Sequence, residues 1–482
     1  MTGIIRTGAL LLVCLFPLTV VAQEEVLSLS LEQSMTLLQQ ENKNLQIAGK
    51  GVEWARSEQQ KLQSFWYPSL FASGAFVHLS NPVEARQPLN QFTDPAKDYL
   101  HSILPDDRLI SSLLDKIGSY TLTFPLVAQN ITSVDANLTW PLFTGGKRIY
   151  AAKIGKAMVQ AAEVNRNQVD AAQQTLLIQN YFALRLGQRV EEVRTATYAS
   201  LQTHYSQALK LEQNGMINRA ECLLAEVSRD EAKRELESSR KELKVARQAL
   251  KSLIGLSPEQ EVSTTTPLFI NTLLPPIDDF RTLVPGGNYM VNQLKLQEAI
   301  AGHEGKIARS AYMPNIALFG KQTLYAHGVD KYLMPRTMVG VGFTWTLFDG
   351  LDREKRIKQA KLTVQSLSLG RQQAVTDLEV AIDKFYSQLQ NALDDVAALR
   401  TTVRMSDELL RIRKRSFQEG MATSAEVVDA EVMLTKVRVA MLLAYYAYDV
   451  ALINLLTVCG TPQDFASYRH GAQTEQTVFT NE

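Results

Sequence analysis

Three carboxylates stand just downstream of two copies of one turn. Gly215-Met216-Ile217-Asn218-Arg219-Ala220-Glu221 aligns without a gap on Gly420-Met421-Ala422-Thr423-Ser424-Ala425-Glu426, and Asp429 follows three residues later. A glycine after a long helical run suits a left-handed helix end. Asn218 and Thr423 then read as N-caps, with Glu221 and Glu426 at capping-box spacing. Backbone satisfaction alone accounts for both glutamates. Asp429 has no such role, because copy one carries Leu224 there. Being three residues apart, Glu426 and Asp429 share one helix face. Their plain alternative is a solvated helix surface.

Catalytic chemistry finds no support. The six histidines, at 78, 101, 204, 303, 327 and 470, are never paired at ligand spacing, and no Cys-x-x-Cys, Gly-x-Ser-x-Gly or phosphate-cradling Gly-rich loop is present. Gly340-Val341-Gly342 lacks the third glycine of a dinucleotide fingerprint. Enzyme activity, cofactors and a metal site are therefore not expected. With 50 Lys and Arg against 50 Asp and Glu, and no basic run, nucleic acid is not an expected partner either.

The elements that position the turns are duplicated. A shift of 205 carries Thr139-Trp140, Leu142-Phe143, Gly145 and Arg148 onto Thr344-Trp345, Leu347-Phe348, Gly350 and Arg353, and Ala225-Glu226-Val227 onto Ala430-Glu431-Val432. A shift of 246 carries Leu37, Asn42, Ala55, Pro68 and Gly74 onto Leu283, Asn288, Ala301, Pro314 and Gly320. The difference places one large insertion in the first copy, between Gly74 and Thr139. Such repeats decide a fold reading.

Two strands show strict alternation. Val134, Ala136, Leu138 and Trp140 alternate with Ser133, Asp135, Asn137 and Thr139 over 132–140, and 339–347 repeats the pattern with Val339, Val341, Phe343, Trp345 and Leu347. Period two means one greasy and one wet face. Segments 69–79 and 315–325 read as their hairpin partners, joined by loops 80–131 and 326–337, with a short helix at 106–117. The rest is helical. An opening helix is expected over 30–65, and 147–213 and 352–419 each lack proline, which allows helices of roughly 100 Å. Return helices are expected over 220–253 and 425–456. The second opening helix is expected to break at Pro285-Gly286-Gly287 and resume near Asn288. Segments 257–280 and 460–482 read as irregular.

Arg6 followed by an apolar Ala9–Val21 reads as a secretory signal over 1–22, too short to span a bilayer. Cys14 lies inside that apolar core, not at a cleavage point, so lipid attachment is not expected. No later stretch reads as a membrane-spanning helix. Cys222 and Cys459 read as small buried residues rather than a disulfide. Four amphipathic strands cannot close a barrel by themselves, since membrane barrels begin at about eight. Three chains would supply enough. Trp66, Trp140 and Trp345 lie where helix meets strand, as an interfacial aromatic girdle would, the plain alternative being a soluble core at a helix–sheet junction.

In this order and spacing, the duplicated helix–strand–strand–helix plan, the proline closing each first helix, Trp-x-Leu-Phe-x-Gly and the paired Gly-Met turns resemble the TolC family of outer-membrane channels. The likeness runs from about residue 28 to 460. It implies a mostly α fold with a small β part: a long α-helical barrel continued by a transmembrane β-barrel, four strands per chain, completed by trimerisation. On that plan 23–68 is the first helix of the helical barrel, 69–145 a transmembrane hairpin with extracellular insertion 80–131, and 146–256 the long and return helices with a tip at 215–220. Residues 257–287 form an equatorial region and 288–313 more helical barrel. The second hairpin is 314–350, 351–459 the remaining helices with a tip at 420–425, and 460–482 a polar tail. The insertion is expected to decorate the surface or plug the barrel.

The resemblance also implies function. The chain would be a passive homotrimeric duct in the outer membrane of a Gram-negative bacterium, set in outer-membrane lipid and reaching into the periplasm. It would dock with a periplasmic adaptor (membrane fusion) protein and an inner-membrane transporter, in a tripartite efflux pump or a type I secretion system. Glu426 and Asp429 match acids that ring the pore entrance, and Glu221 the acid of its lock. Gly215, Met216, Gly420 and Met421 would form the docking turns. The Tyr and Arg of the family lock are replaced by Phe417 and Ala422, so an entrance closed at rest would need other contacts; Arg219 and Arg413 are nearby in sequence. The competing reading is a periplasmic coiled-coil adaptor or structural rod without a pore.

Overall fold

The computed structural model describes residues 26–103, 108–329, 335–471 and 473–477. The expected signal over 1–22, Cys14 and the centre of loop 326–337 lie outside them. Contacts divide the chain into two units: Met1–Lys50, Val164–Asn292 and Gln372–Glu482 form one, Gly51–Glu163 and Gln293–Arg371 the other.

The chain begins with β1 (Leu27–Leu29), α1 (Leu31–Glu41) and α2 (Lys43–Gln63), then β2 (Ser69–His78), β3 (Val83–Pro88), α3 (Asn90–Ile103), α4 (Arg108–Gly118) and β4 (Thr121–Thr144). The long helix α5 (Lys147–Gln213) and return helix α6 (Arg219–Ile254) follow, with β5 (Val262–Thr264) and β6 (Phe269–Asn271). The second copy comprises α7 (Ile277–Gly287), α8 (Tyr289–Ser310), β7 (Asn315–Val329), β8 (Thr337–Thr344), α9 (Asp352–Gln418) and α10 (Ser424–Cys459). Helix α11 (Phe465–Arg469) and β9 (Thr474–Gln476) close it.

The opening helix is not continuous over 30–65. It breaks at Asn42, whose backbone is extended (φ −67°, ψ 120°). Asn42 Oδ1 accepts from the Asn44 and Leu45 amides at 2.9 and 3.2 Å, capping α2, while Nδ2 donates to the Leu253 carbonyl at 3.1 Å. Copy two does the same with Asn288. Its Oδ1 caps α8 through the Met290 and Val291 amides, and Nδ2 donates to the Val458 carbonyl at 2.8 Å. Each asparagine thus joins two helices end to end and ties the joint to the last turn of a return helix. The expected break at Pro285-Gly286-Gly287 is corrected accordingly: these residues lie inside α7. Gly287 is small because its backbone meets the end of α10; an added Cβ would stand 2.8 Å from the Cys459 carbonyl oxygen.

The segments expected to be irregular carry short strands instead. β1 pairs parallel with β5, and β6 antiparallel with β9. Between them lies an aromatic core in which Phe269 packs edge-on against Phe182, Tyr448 and Phe465 at 5.6–6.2 Å. The Tyr181 hydroxyl donates to the Leu29 carbonyl and accepts from the Thr265 and Thr266 amides, so the buried strand ends keep their hydrogen bonds. Cys222 and Cys459 are free and buried. Contrary to expectation, α10 is long and apolar enough by composition to cross a membrane. Leu442, Tyr448, Leu452, Ile453 and Leu456 of that helix are buried in this core, which accounts for its apolar sequence.

In the other unit the strand order is β2-β4-β7-β8, all antiparallel. The insertion is more ordered than a loop. β4 runs 24 residues, not the nine expected, and β3 pairs with its first part, following on from β2 along the same side of β4. The sheet therefore stays four strands wide. Helices α3 and α4 fill the centre of the insertion, where one helix at 106–117 was expected. β8 ends at Thr344, leaving Trp345–Leu347 beyond the sheet.

Replacing Asn42 or Asn288 with Ala should each cost about 1 kcal/mol, the usual loss of a cap, rising toward ~2 because the carbonyl tie goes too. The thermal unfolding midpoint of the detergent-solubilised protein measures this, with exposed Asn44→Ala as reference. A loss no larger than the reference would contradict the joint.

Candidate functional site

Both turns are built by the same local geometry. Gly215 and Gly420 are left-handed, at φ 69° and 73°. The Met216 amide reaches the Leu211 carbonyl and the Met421 amide the Ser416 carbonyl, each at 2.8 Å, so both helices end in Schellman motifs. Met216 and Met421 project outward, exposed. Asn218 and Thr423 then cap α6 and α10.

The two glutamates differ in use. Glu426 closes a capping box with Thr423 and pairs with Arg413 at 3.2 Å. Glu221 does not complete its expected box. Its backbone amide is capped by Asn218, but its carboxylate accepts from the Ser424 amide at 3.3 Å, crossing from the first turn to the second. Arg219 turns back to Glu212 at 3.2 Å. Asp429 is exposed, as a surface or pore-lining carboxylate would be. A groove of about 340 Å³ runs between the turns, lined by Met216, Ile217, Glu221, Met421, Ala422 and Glu426 among others.

Beneath the turns, Phe417 is buried against Ala208, Ala225 and Val427. Four residues escaped the sequence reading. His204 Nε2 lies 2.7 Å from Ser424 Oγ, and its ring packs on Phe417 with centroids 4.6 Å apart. Burial, reinforced by the nearby Lys414 charge, pulls the His204 pKa down to about 4. Glu431, almost wholly buried, pairs with Lys414 at 2.9 Å and accepts from the Ser200 hydroxyl, to which Lys414 also donates at 2.5 Å. Thus α5, α6, α9 and α10 are tied together within one chain. Ser424 is the hub, held through its amide by Glu221 and through its hydroxyl by His204. The partners lie more than 200 residues apart, so no local motif announces them. The 205 shift, which sets Glu431 on Glu226, was the one available signal.

The aromatic residues at the helix–strand junctions follow the repeat as well. The Trp140 indole donates to the Trp66 carbonyl at 3.0 Å, and the Trp345 indole to the Tyr312 carbonyl at 3.1 Å. Arg148 lies over the Trp66 ring and Arg353 over the Tyr312 ring, at 4.5 and 4.7 Å. Each guanidinium also holds the carbonyl of Leu142 or Leu347. Trp66, Trp140 and Trp345 remain exposed. Among the described residues no group of His, Cys, Asp or Glu could hold a metal ion.

Comparison with known proteins adds a family. The sequence model described as outer membrane efflux protein matches residues 35–256 and 289–461. No curated protein matches. Similar solved structures include the outer membrane protein VceC of Vibrio cholerae, at 16% identity, TM-score 0.70, 89% of this chain and 96% of that one. CusC matches at 17% identity, TM-score 0.71, with 89% and 92% covered. The open MtrE outer membrane channel of Neisseria gonorrhoeae matches at 17%, TM-score 0.67, with 90% and 89% covered.

The low His204 pKa has a testable sign. Between pH 6.5 and 4 the unfolded tip binds more protons than the folded one, so tip stability rises with pH over that window and is lost as pH falls through it. Hydrogen exchange at Ser424–Val428, corrected for intrinsic rates, should lose protection from pH 7 to 4.5 in the wild type and stay flat in His204→Gln. Equal pH dependence in both would contradict this.

Proposed function

This chain belongs to the outer membrane efflux protein family, and we propose that it is the outer-membrane duct of a tripartite efflux pump or a type I secretion system. The observation that carries the reading is the sheet. Among the described residues no strand pairs with the outer edge of β2 or of β8, and one face shows Leu70, Phe76, Val339, Val341 and Phe343, each more than 60% exposed. A greasy face of this kind suits lipid, but lipid tolerates no open strand edge. Four strands are too few to close, so neighbouring copies must pair the edges. Three copies supply twelve strands, within the range of membrane barrels.

On this reading 69–145 and 314–350 are the transmembrane hairpins. Residues 23–68, 146–256, 288–313 and 351–459 build a periplasmic helical barrel, 257–287 its equator and 460–482 its tail. Trp66, Trp140 and Trp345 mark the lipid boundary. Gly215, Met216, Gly420 and Met421 present the docking surface for a periplasmic adaptor, and the groove between the turns gives it apolar and acidic footing. The duct is passive; energy comes from an inner-membrane transporter. The Ser424 hub and the Arg413–Glu426 pair stand in for the family lock that Phe417 and Ala422 cannot form. A coiled-coil adaptor or rod offers no role for an exposed apolar sheet face.

Glu426 and Asp429 from three copies would ring the entrance, and such a ring favours cations. In planar bilayers Asp429→Lys should lower the cation-to-anion permeability ratio several-fold, and Glu426→Gln, which keeps the capping geometry, should lower it less. A wild-type ratio in Asp429→Lys would remove the ring.

A further inference from the structure

Strands β2, β4, β7 and β8 together contain one acid and one base among Asp, Glu, Lys and Arg: Asp135 in β4 and Lys321 in β7. The two are paired. Lys321 Nζ stands 2.9 Å from Asp135 Oδ2, and the Thr323 hydroxyl donates to Oδ1 at 2.7 Å. Both carboxylate oxygens are thereby engaged, and Asp135 is only 7% exposed. The register is arranged for this contact. A bulge after Val134 brings Thr323, not Leu324, opposite Asp135, and Asn137 opposite Lys321. All lie on the polar face with Ser73, to which Asn137 donates at 2.8 Å. Val134, Leu138, Val339 and Val341 take the other face.

A carboxylate on a water-facing wall needs no partner to be tolerated, because water solvates it. What the lysine removes is its field. A lone acid repeated by symmetry would form a ring of like charge, and such rings select ions in pores. We propose that Lys321 masks Asp135, so that the barrel lumen is a charge-balanced collar passing solutes of either sign. Charge discrimination is thereby left to the turns. The inference rests on the trimeric-pore reading and names a property that reading does not require.

The test is the cation-to-anion permeability ratio of single channels in planar bilayers at about 0.1 M salt, where a charge acts over roughly 10 Å. Lys321→Gln uncovers three carboxylates and should raise the ratio roughly twofold or more. Asp135→Asn leaves three ammonium groups and should lower it comparably. The double variant and Lys321→Arg should both return to the wild-type ratio. Single variants with wild-type conductance and an unchanged ratio would overturn the collar. So would shifts in the same direction, or loss of channels in the variants alone, which would make the pair purely structural. A wild-type protein that forms no channels would instead sink the pore reading and take the collar with it.

Discussion

Unpaired backbone at the two edges of a four-strand sheet is the constraint on which the rest of this molecule depends. An amide or carbonyl left without a partner in lipid costs several kcal/mol, and a strand edge presents a row of them. On the proposed reading, the exposed apolar face sets the sheet against lipid, and the open edges then make a single copy incomplete. Assembly is in this sense a requirement of the strands themselves. On the same reading the polar face, with its serines, asparagines and one ion pair, would become the inner wall once that assembly closes.

The helical unit solves a related problem by other means. Each half-length helix pair must be joined end to end without leaving orphaned amides and carbonyls. One asparagine per copy does this, capping the next helix with its oxygen and tying a return-helix carbonyl with its nitrogen. At the turns, Schellman ends and N-caps satisfy the backbone, which leaves side chains free for contacts between copies one and two. Ser424 uses that freedom, gathering Glu221 and His204 from two other helices. The pair of partly exposed Lys414 with buried Glu431 is held by the Ser200 hydroxyl of α5.

Much of this was legible because periodicity and repetition are properties of sequence. The alternation in 132–140, the proline-free long helices and the twin turns all announced their elements. The Asn42 break did not, because asparagine is a weak breaker and only its distant partner makes it a joint. Yet the 246 shift had already set Asn42 on Asn288, and the equivalence was the clue. β3 and α3 were hidden because the insertion has no second copy and little regular pattern, whereas the short helix expected over 106–117 corresponds to α4. Glu221 was read as a local cap because a motif shows only near neighbours; its actual partner, Ser424, comes from the other half of the duplication. His204, Lys414 and Ser200 carried no spacing signal at all.

The central claim is that sister copies pair the two open edges. Site-directed disulfide crosslinking tests it most directly. With Cys222 and Cys459 replaced by Ser, a cysteine at Val341 in β8 would be combined with single cysteines scanned along β2, and oxidised in membranes. The account predicts that a few β2 positions give a covalent circle that runs as a trimer on a denaturing gel. No crosslink between copies at any β2 position, or a ladder extending past three, would contradict it.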